Sequence, residues 1–435
     1  MGRDETGPGR RPRGRRTQIL AVAAEQFHRR GYHQVAMAEV AAAVGITAPA
    51  LYRHYRGKPE LLRQSVCGGL AELAAALAKL PEGPTEGPPD GLPQGPAQGA
   101  AADGPAALAA ALAQVALDQR TLATLWQRDA RLLPPAQRAE LRRSLRSCVD
   151  AAGRRLTAAR PELDRGRAEL LVWSALSAAG SLSYHTFAPP RRRFERLLTD
   201  LLLGLLTASP GSPHPVPPGR PPESGPPGRR EELLAAAVRL FDERGFDNVS
   251  TDRLGAAVGI AGPSLYKHFP AKTDLLAAAL VRCRERLGHE VVAVLLAAGE
   301  PAQRLAEGLR AYTAFARRHR HYLGAMVSET ERLAAPDRKA ALDFRRDFLR
   351  IWVELLRQVH PGYDKAEARI RVHAMFALVN DGVRNSSSAT GAELAPRLDE
   401  LACVVLGLRV GGEESRTPAR VGPQPGPPLS QQLTN

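Results

Sequence analysis

The sequence predicts an all-α fold made of two tandem units of one plan, each a small three-helix head followed by a larger helical body. Ala- and Leu-rich segments with charges on one face follow one another almost throughout, and no convincing strand pattern occurs. Residues 15–62 return at 229–276 with 21 identities in 48 gap-free positions, and segments dense in Pro and Gly separate the repeated parts. With 435 residues the chain exceeds one ordinary core, since domains average about 150 residues. Two large duplicated units therefore fit the length better than many small domains.

Composition shifts set the predicted boundaries. The predicted parts are a disordered basic arm (1–14), a first head (15–62), a first body (63–207) with a Pro/Gly-rich insert (81–105), a Pro-rich linker (208–228), a second head (229–276), a second body (277–409) and a disordered tail (410–435). Beyond the heads the order of segments persists, because "LLPPAQRAEL" corresponds to "LAAPDRKAAL" and "RPELDRGRAEL" to "HPGYDKAEARI". The linker marks the junction of the duplication.

Charge and cysteine content narrow the class of protein. A net charge of +15 and a pI near 10.3 favour a polyanionic partner. The four cysteines form no CxxC or Cys/His cluster, which favours a reducing cytoplasm and predicts no metal site. Neither a signal peptide nor a membrane span is expected, since the most hydrophobic run, "LLTDLLLGLL", is far shorter than the roughly 20 residues a span needs. No arrangement typical of an enzyme or of a cofactor site stands out.

The repeated stretch has the pattern of a helix-turn-helix. An amphipathic helix ends at Gly31 in the first unit and at Gly245 in the second, and a second short helix follows. Its apolar side is predicted to contain Val40, Ala43 and Val44. A Gly-Ile turn then leads into a third helix of about two turns. In such folds the last helix enters the major groove of DNA.

The third helix divides into a buried edge and an outward side. At 100° per residue, Leu51 and Tyr55 should pack on the first helix, and Leu265 and Phe269 should do the same in the second unit. Basic, aromatic and imidazole side chains fall outward, where they can donate hydrogen bonds to phosphates or base edges. The candidate DNA-binding residues are Thr47, Ala48, Pro49, Ala50, Tyr52, Arg53, His54 and Lys58 in the first head, and Gly262, Pro263, Ser264, Tyr266, Lys267, His268 and Lys272 in the second.

The stretches "VAMAEVAAAVGITAPALYRHYRGKPELL" and "VSTDRLGAAVGIAGPSLYKHFPAKTDLL" resemble the DNA-binding segment of TetR-type (tetracycline-repressor-like) transcriptional regulators. The shared signature is a G-I/V turn, then L-Y-x-H-F and a Lys before the next helix. This resemblance implies that each head binds DNA, that each body binds a small ligand, and that the last helices dimerise. It also implies that the Tyr, His and Lys of the motif contact phosphates.

The two heads differ where a helix is capped and in charge. Thr47 can cap the first recognition helix, whereas its counterpart Ala261 cannot; Ser250 or Thr251 can cap the second helix, whereas Ala36 cannot. Seven basic and three acidic residues give the first head a net charge of +4, and seven of each give the second zero. DNA binding should therefore depend more on the first head.

A small hydrophobic effector is expected in the second body, which holds most of the aromatic side chains. The candidate ligand-binding residues are Tyr312, Phe315, Met326, Phe348, Trp352, Met375 and Phe376. Core packing is the alternative role for these side chains, because their spacing also suits a helical core. For the basic arm, minor-groove contact and simple solvation both remain open.

These patterns predict a ligand-responsive transcriptional regulator that binds double-stranded DNA in the cytoplasm. Repression is the expected effect of its binding. The alternative is a ligand-sensing or scaffold protein whose heads no longer bind DNA specifically. The terminal helices, with Leu198, Leu201, Leu202 and Leu205 in one unit and Leu398, Leu401, Val405 and Leu408 in the other, are expected to pair within one chain. A homodimer of two chains is the other arrangement.

Overall fold

The computed structural model describes residues 14–81, 98–209, 228–385 and 391–408, and within them every regular element is helical. The first unit contains α1 (Arg15–Arg30), α2 (Met37–Val44), α3 (Ala48–His54), α4 (Lys58–Ala78), α5 (Gln98–Asp118), α6 (Leu122–Thr124), α7 (Pro135–Ala159), α8 (Arg165–Gly180) and α9 (Arg191–Thr207). The second contains α10 (Arg229–Arg244), α11 (Thr251–Ala256), α12 (Lys272–Leu287), α13 (Ala293–Leu295), α14 (Pro301–Arg318), α15 (Arg320–Ser328), α16 (Ala335–Val359), α17 (Lys365–Asn385) and α18 (Gly391–Leu406). The all-α prediction is confirmed.

The predicted arm, linker and tail lie almost wholly outside the described residues. The insert predicted over 81–105 is too long, because α5 already begins at Gln98 and contains Pro105. The sequence here is rich in alanine, which has the highest helix propensity, so the helix extends into the segment that was expected to be a linker. Arg15 and Arg16 begin the first helix of the first head: Arg15 donates to Val44 O, and Arg16 lies over the Tyr55 ring.

Each head packs its short helices onto one stripe of its first helix. In the first head the fully buried residues of α1 are Ile19, Ala23 and Phe27, and α2 buries Ala41 rather than the predicted Ala43. Leu51 and Tyr55 are buried as predicted, as are their counterparts in the second head. Gly31 and Gly245 end the first helices with φ of 82° and 81°, a conformation that favours glycine.

The two bodies correspond at a spacing of 200 residues, 14 fewer than the heads. Helices α7 and α16 each have 25 residues and begin at 135 and 335, and α8 and α17 begin at 165 and 365. The correspondence predicted for "LLPPAQRAEL" and "LAAPDRKAAL" was therefore wrong by one residue. The spacing of 200 shows which residues occupy equivalent places in the two bodies.

The two units pack against each other within the chain. Helix α8 lies along α17, and α9 makes a smaller contact with α18. The predicted terminal leucines are buried except for Leu408, which is half-buried. The prediction named only the terminal helices, whereas the penultimate pair forms most of this contact.

Helix α4 is the one described helix that is long and apolar enough to cross a membrane by length and composition. In the structure it joins the first head to the first body, and Leu61, Leu62 and Val66 are fully buried in that core.

Candidate nucleic-acid interface

The outward side of each recognition helix carries the side chains that the sequence placed there. Tyr52 and Tyr266 are each 53% exposed, and they are two of the four large hydrophobic side chains exposed among the described residues. Arg53 and Lys267 are exposed beside them. An aromatic hydroxyl and a cation, repeated at equivalent places on two heads, form a surface suited to a phosphate backbone.

The remaining candidate residues surround this pair. Thr47, Pro49, His54 and Pro263 are exposed, whereas Ala48, Ala50, Ser264 and His268 are half-buried, and Gly262 is buried. A Cβ at Gly262 would lie 2.9 Å from Asp252 Cα, so this glycine lets the recognition segment approach α11 closely. Gly262 therefore serves the packing of the head, and it has no side chain that is exposed to solvent.

Lys58 and Lys272, expected to face phosphate, have partners inside their own heads. The Lys58 ammonium donates to Val35 O at 2.9 Å and lies 4.5 Å from the centre of the Tyr32 ring. Lys272 donates to Phe246 O at 2.8 Å and to Val249 O at 2.9 Å. Burial lowers the pKa of both ammonium groups. In this structure the two lysines hold the segment between the first two helices of the head.

The capping difference between the heads is present and has a structural consequence. Thr47 Oγ1 accepts from Ala50 N at 3.4 Å, and the first recognition segment is the α-helix α3. Ala261 offers no side-chain cap, and the second recognition segment, Gly262–Lys267, is a 3-10 helix. As predicted, Ser250 caps the preceding helix of the second head, by accepting from Arg253 N at 3.2 Å. The two recognition segments are thus unequal in length and geometry.

Two arginines of the first body hold the first helices of both heads. Arg128 Nη2 donates to Phe27 O at 2.5 Å, at the C-terminus of α1, and its guanidinium pairs with buried Asp129 at 2.8 and 2.9 Å. Phe27 O also accepts from Gly31 N, and Arg128 Nη1 donates to His28 O at 3.3 Å, at a helix C-terminus whose dipole favours a cation. Arg128 therefore fixes the first head to its own body.

Arg131, one helical turn further on, reaches the other unit. Its Nη1 donates to Phe241 O at 2.8 Å and to Asp242 O at 2.7 Å, at the C-terminus of α10, and Nη2 pairs with Glu329. Burial raises the pKa of the Glu329 carboxyl, and the Arg131 guanidinium opposes that shift. At the spacing of 200, the residues equivalent to Arg128 and Arg131 are Ser328 and Glu331. The first body alone thus supplies both arginines.

The second head is also held by its own body. Helix α10 packs along α15, and His321 Nδ1 lies 2.9 Å from Asp242 Oδ2. Between the heads, His33 Nδ1 lies 3.1 Å from Asp247 Oδ2. The heads are therefore joined to each other as well as to the bodies.

An apolar cavity of about 110 Å³ lies in the first body, opens to solvent, and is lined by one side chain of the second unit. Apolar walls with a few polar groups are typical of ligand sites. The lining residues are Leu70, Leu73, Leu112, Val115, Ala116, Gln119, Leu122, Ala123, Trp126, Gln127, Leu145, Trp173, Leu176, Ser177, Ala179, Gly180, Ser183 and Asp381.

The aromatic residues predicted to line an effector site are packed together in the second body. Tyr312 lies 4.9 Å from Phe376 and 6.1 Å from Trp352 between ring centres, and Trp352 is fully buried. The other predicted residues, Phe315, Met326, Phe348 and Met375, are buried or half-buried. The equivalents of Tyr312, Phe348, Trp352 and Phe376 in the first body are Leu112, Cys148, Ala152 and Leu176. Large aromatic rings fill the second body, whereas smaller side chains leave space in the first. The presence of aromatic residues in the sequence does not by itself reveal this difference.

Both heads have the geometry of a helix-turn-helix DNA-binding domain. Residues 19–64 and 233–279 match the family of bacterial regulatory proteins of the tetR family. The chain therefore carries two TetR-type DNA-binding domains in tandem, as the resemblance predicted. Among the described residues, no group of three or more His, Cys, Asp or Glu side chains is placed to hold a metal ion.

The relatives include a transcriptional activator and a transcriptional repressor. The chain is 33% identical over 87 residues to the HTH-type transcriptional activator FasR of Mycolicibacterium smegmatis, covering 20% of this chain and 40% of that protein. It is 28% identical over 156 residues to the HTH-type transcriptional repressor KstR2 of Mycobacterium tuberculosis, covering 35% and 76%. A TetR-family regulator from Bordetella parapertussis 12822 aligns in structure with a TM-score of 0.39 and 17% identity, over 42% of this chain and 95% of that one.

Proposed function

We propose that this protein is a ligand-responsive transcriptional regulator in which one chain supplies both DNA-binding heads of an operator complex. The observation that carries the proposal is the pair of outward surfaces, Tyr52 with Arg53 and Tyr266 with Lys267, on two heads joined within one chain. A single helix-turn-helix makes too few contacts for specificity, so such proteins use two heads on two half-sites. Repression is the expected outcome of binding, and KstR2 is named as a repressor.

The cavity and the arginines share one segment, which supports the ligand response. Leu122, Ala123, Trp126 and Gln127 line the cavity, and the same run of chain continues into Arg128 and Arg131. A ligand that displaces Trp126 would shift the two guanidinium groups that hold the first helices of the heads. One cavity would then alter the position of both heads and so lower operator affinity. The proposed effector site is therefore the cavity of the first body, in place of the second body predicted from the sequence.

DNA binding should depend more on the first head, and the exposed residues give the cleanest test. Tyr52→Ala with Arg53→Ala is expected to weaken operator binding, and to flatten its salt dependence, more than Tyr266→Ala with Lys267→Ala, because the first head has a net charge of +4 and the second zero. Lys58 and Lys272 are unsuitable, since their loss would also free carbonyl groups inside the head.

Genome-wide occupancy of the tagged protein supplies the DNA for that comparison. A regulator should give a few sharp peaks that the Tyr52/Arg53 variant loses, and titrations on fragments from those peaks across a salt series then rank the two heads. Absence of peaks for the natural protein would favour the alternative, a sensing or scaffold protein. Equal losses from the two double variants would refute the difference between the heads.

The contact between α8 and α17 supports pairing within one chain, so the protein should be a monomer in solution. Light scattering during size exclusion is expected to report one chain of 46.8 kDa. Footprinting should show two unequal half-sites, because α3 is a capped α-helix and Gly262–Lys267 an uncapped 3-10 helix. A stable two-chain particle that protects a perfect palindrome would contradict this arrangement.

A further inference from the structure

The cavity has one charged lining residue, and it comes from the other unit. Asp381, on α17, is 7% exposed, whereas the remaining lining residues are apolar or neutral. The Ser177 hydroxyl and the Gln127 amide lie close enough to this carboxylate to lower its pKa. A buried carboxylate in apolar surroundings is expensive unless a cation or several donors compensate it.

The nearest cation is committed to other partners. Arg384 Nη1 donates to Gln127 Oε1 at 3.3 Å, and its Nη2 lies 3.9 Å from Asp242 Oδ1. Burial raises the pKa of Asp381 to about 6, and the Arg384 guanidinium offsets only part of that rise. The Asp381 carboxylate is therefore incompletely compensated by its neighbours.

Two indole rings line the same cavity. Trp126 and Trp173 both face it, and the Trp173 ring is held by donation from Nε1 to Glu169 Oε1 at 3.3 Å. Indole faces attract cations, and the effect is larger where water is excluded. A ligand anion would be repelled by the Asp381 carboxylate and by the negative faces of these rings. The residues that line the cavity include no cation that would offset this repulsion.

We propose that this cavity binds an amphipathic amine, with its apolar part against the two tryptophans and its protonated amino group beside Asp381. The ligand class follows from the lining itself; only its effect on operator affinity rests on the function proposed above. The site needs both units, since the walls belong to the first and the carboxylate to the second. A ligand ammonium at Asp381 also competes with the Gln127 amide, whose oxygen accepts from Arg384, and so connects the cavity to α10 of the second head.

Three probes of equal length separate charge from size: 4-phenylbutylamine, 4-phenyl-1-butanol and 4-phenylbutyrate. Titration calorimetry of the full chain without DNA is expected to rank the amine first, by about tenfold over the alcohol, and the acid last. Asp381→Asn should lower the affinity for the amine by about tenfold and leave that for the alcohol unchanged. Asp200→Asn, at an exposed carboxylate on α9, should change none of them.

The outcomes separate the ligand class from the ligand response. Asparagine keeps the size of Asp381 and a side-chain oxygen near Ser177 and Gln127, and circular dichroism with a melting curve verifies that the variant is folded. An amine that binds no better than the alcohol, an equal loss for both probes in Asp381→Asn, or no binding by any probe would each overturn the proposal. If the amine binds as expected and operator affinity does not change, the ligand class stands and the proposed ligand response fails.

Discussion

Replacement of Arg131 by alanine is expected to lower the free energy of unfolding by about 3 kcal/mol, the order found when one partner of a buried ion pair is removed. The Arg131 and Glu329 side chains are only 13% and 4% exposed, so the variant leaves a buried carboxylate unpaired. It also removes the hydrogen bond to Asp242 O at the end of α10 and one of the two to Phe241 O, which still accepts from Gly245 N. Denaturant titration measures the loss, and hydrogen exchange over Phe246–Asn248 should be faster in the variant.

Two companion variants make the Arg131 result interpretable. Arg142→Ala removes an exposed arginine from α7 and should cost little. Arg131→Met combined with Glu329→Gln removes both charges, so it should recover part of the stability that Arg131→Ala loses. If Arg131→Ala behaves like Arg142→Ala, the first body does not hold the second head through Arg131.

Replacement of Trp352 by alanine is expected to cost about 4 kcal/mol, the range of large-to-small substitutions in packed cores. The Trp352 ring is fully buried, with Tyr312 and Phe376 ring centres 6.1 and 5.5 Å away. Its removal leaves a void that rigid aromatic neighbours cannot fill. Thermal unfolding measures the effect.

Trp126→Ala is the matched control for Trp352→Ala, since the same residue type is removed from a different environment. Trp126 is half-buried and already borders the cavity, so its loss should cost about 1–2 kcal/mol, within the usual range for single substitutions. It should also weaken binding of 4-phenylbutylamine. Equal losses of stability from the two tryptophans would show that the bodies are packed alike, contrary to the structure.

Local patterns were sufficient to predict the heads. Leu51, Tyr55, Leu265 and Phe269 are buried, and Gly31 and Gly245 take positive φ, because helix periodicity and the conformational freedom of glycine act within a few residues. The capping difference between Thr47 and Ala261 also depends on neighbouring residues. Here the chemistry of each side chain and its position in the helix specify the result.

The long-range contacts of the site could not be predicted in the same way. Lys58 was expected at phosphate, but it lies beside Val35 O, which is 23 residues away in the chain. The effector site was expected where aromatic residues are dense, yet density in a sequence does not distinguish a filled core from a lined cavity. At the spacing of 200 between the bodies, Trp352 corresponds to Ala152, and the smaller side chains belong to the first body.

The sequence by itself determined the duplication, the all-α class, the helix-turn-helix heads and their inequality of charge, because these depend on repetition, periodicity and composition. Only the tertiary structure decided that Arg128 and Arg131 of one body hold both heads, and that Asp381 of one unit enters the cavity of the other. These contacts join residues more than 100 positions apart. They depend on how whole helices pack, so no local pattern specifies them.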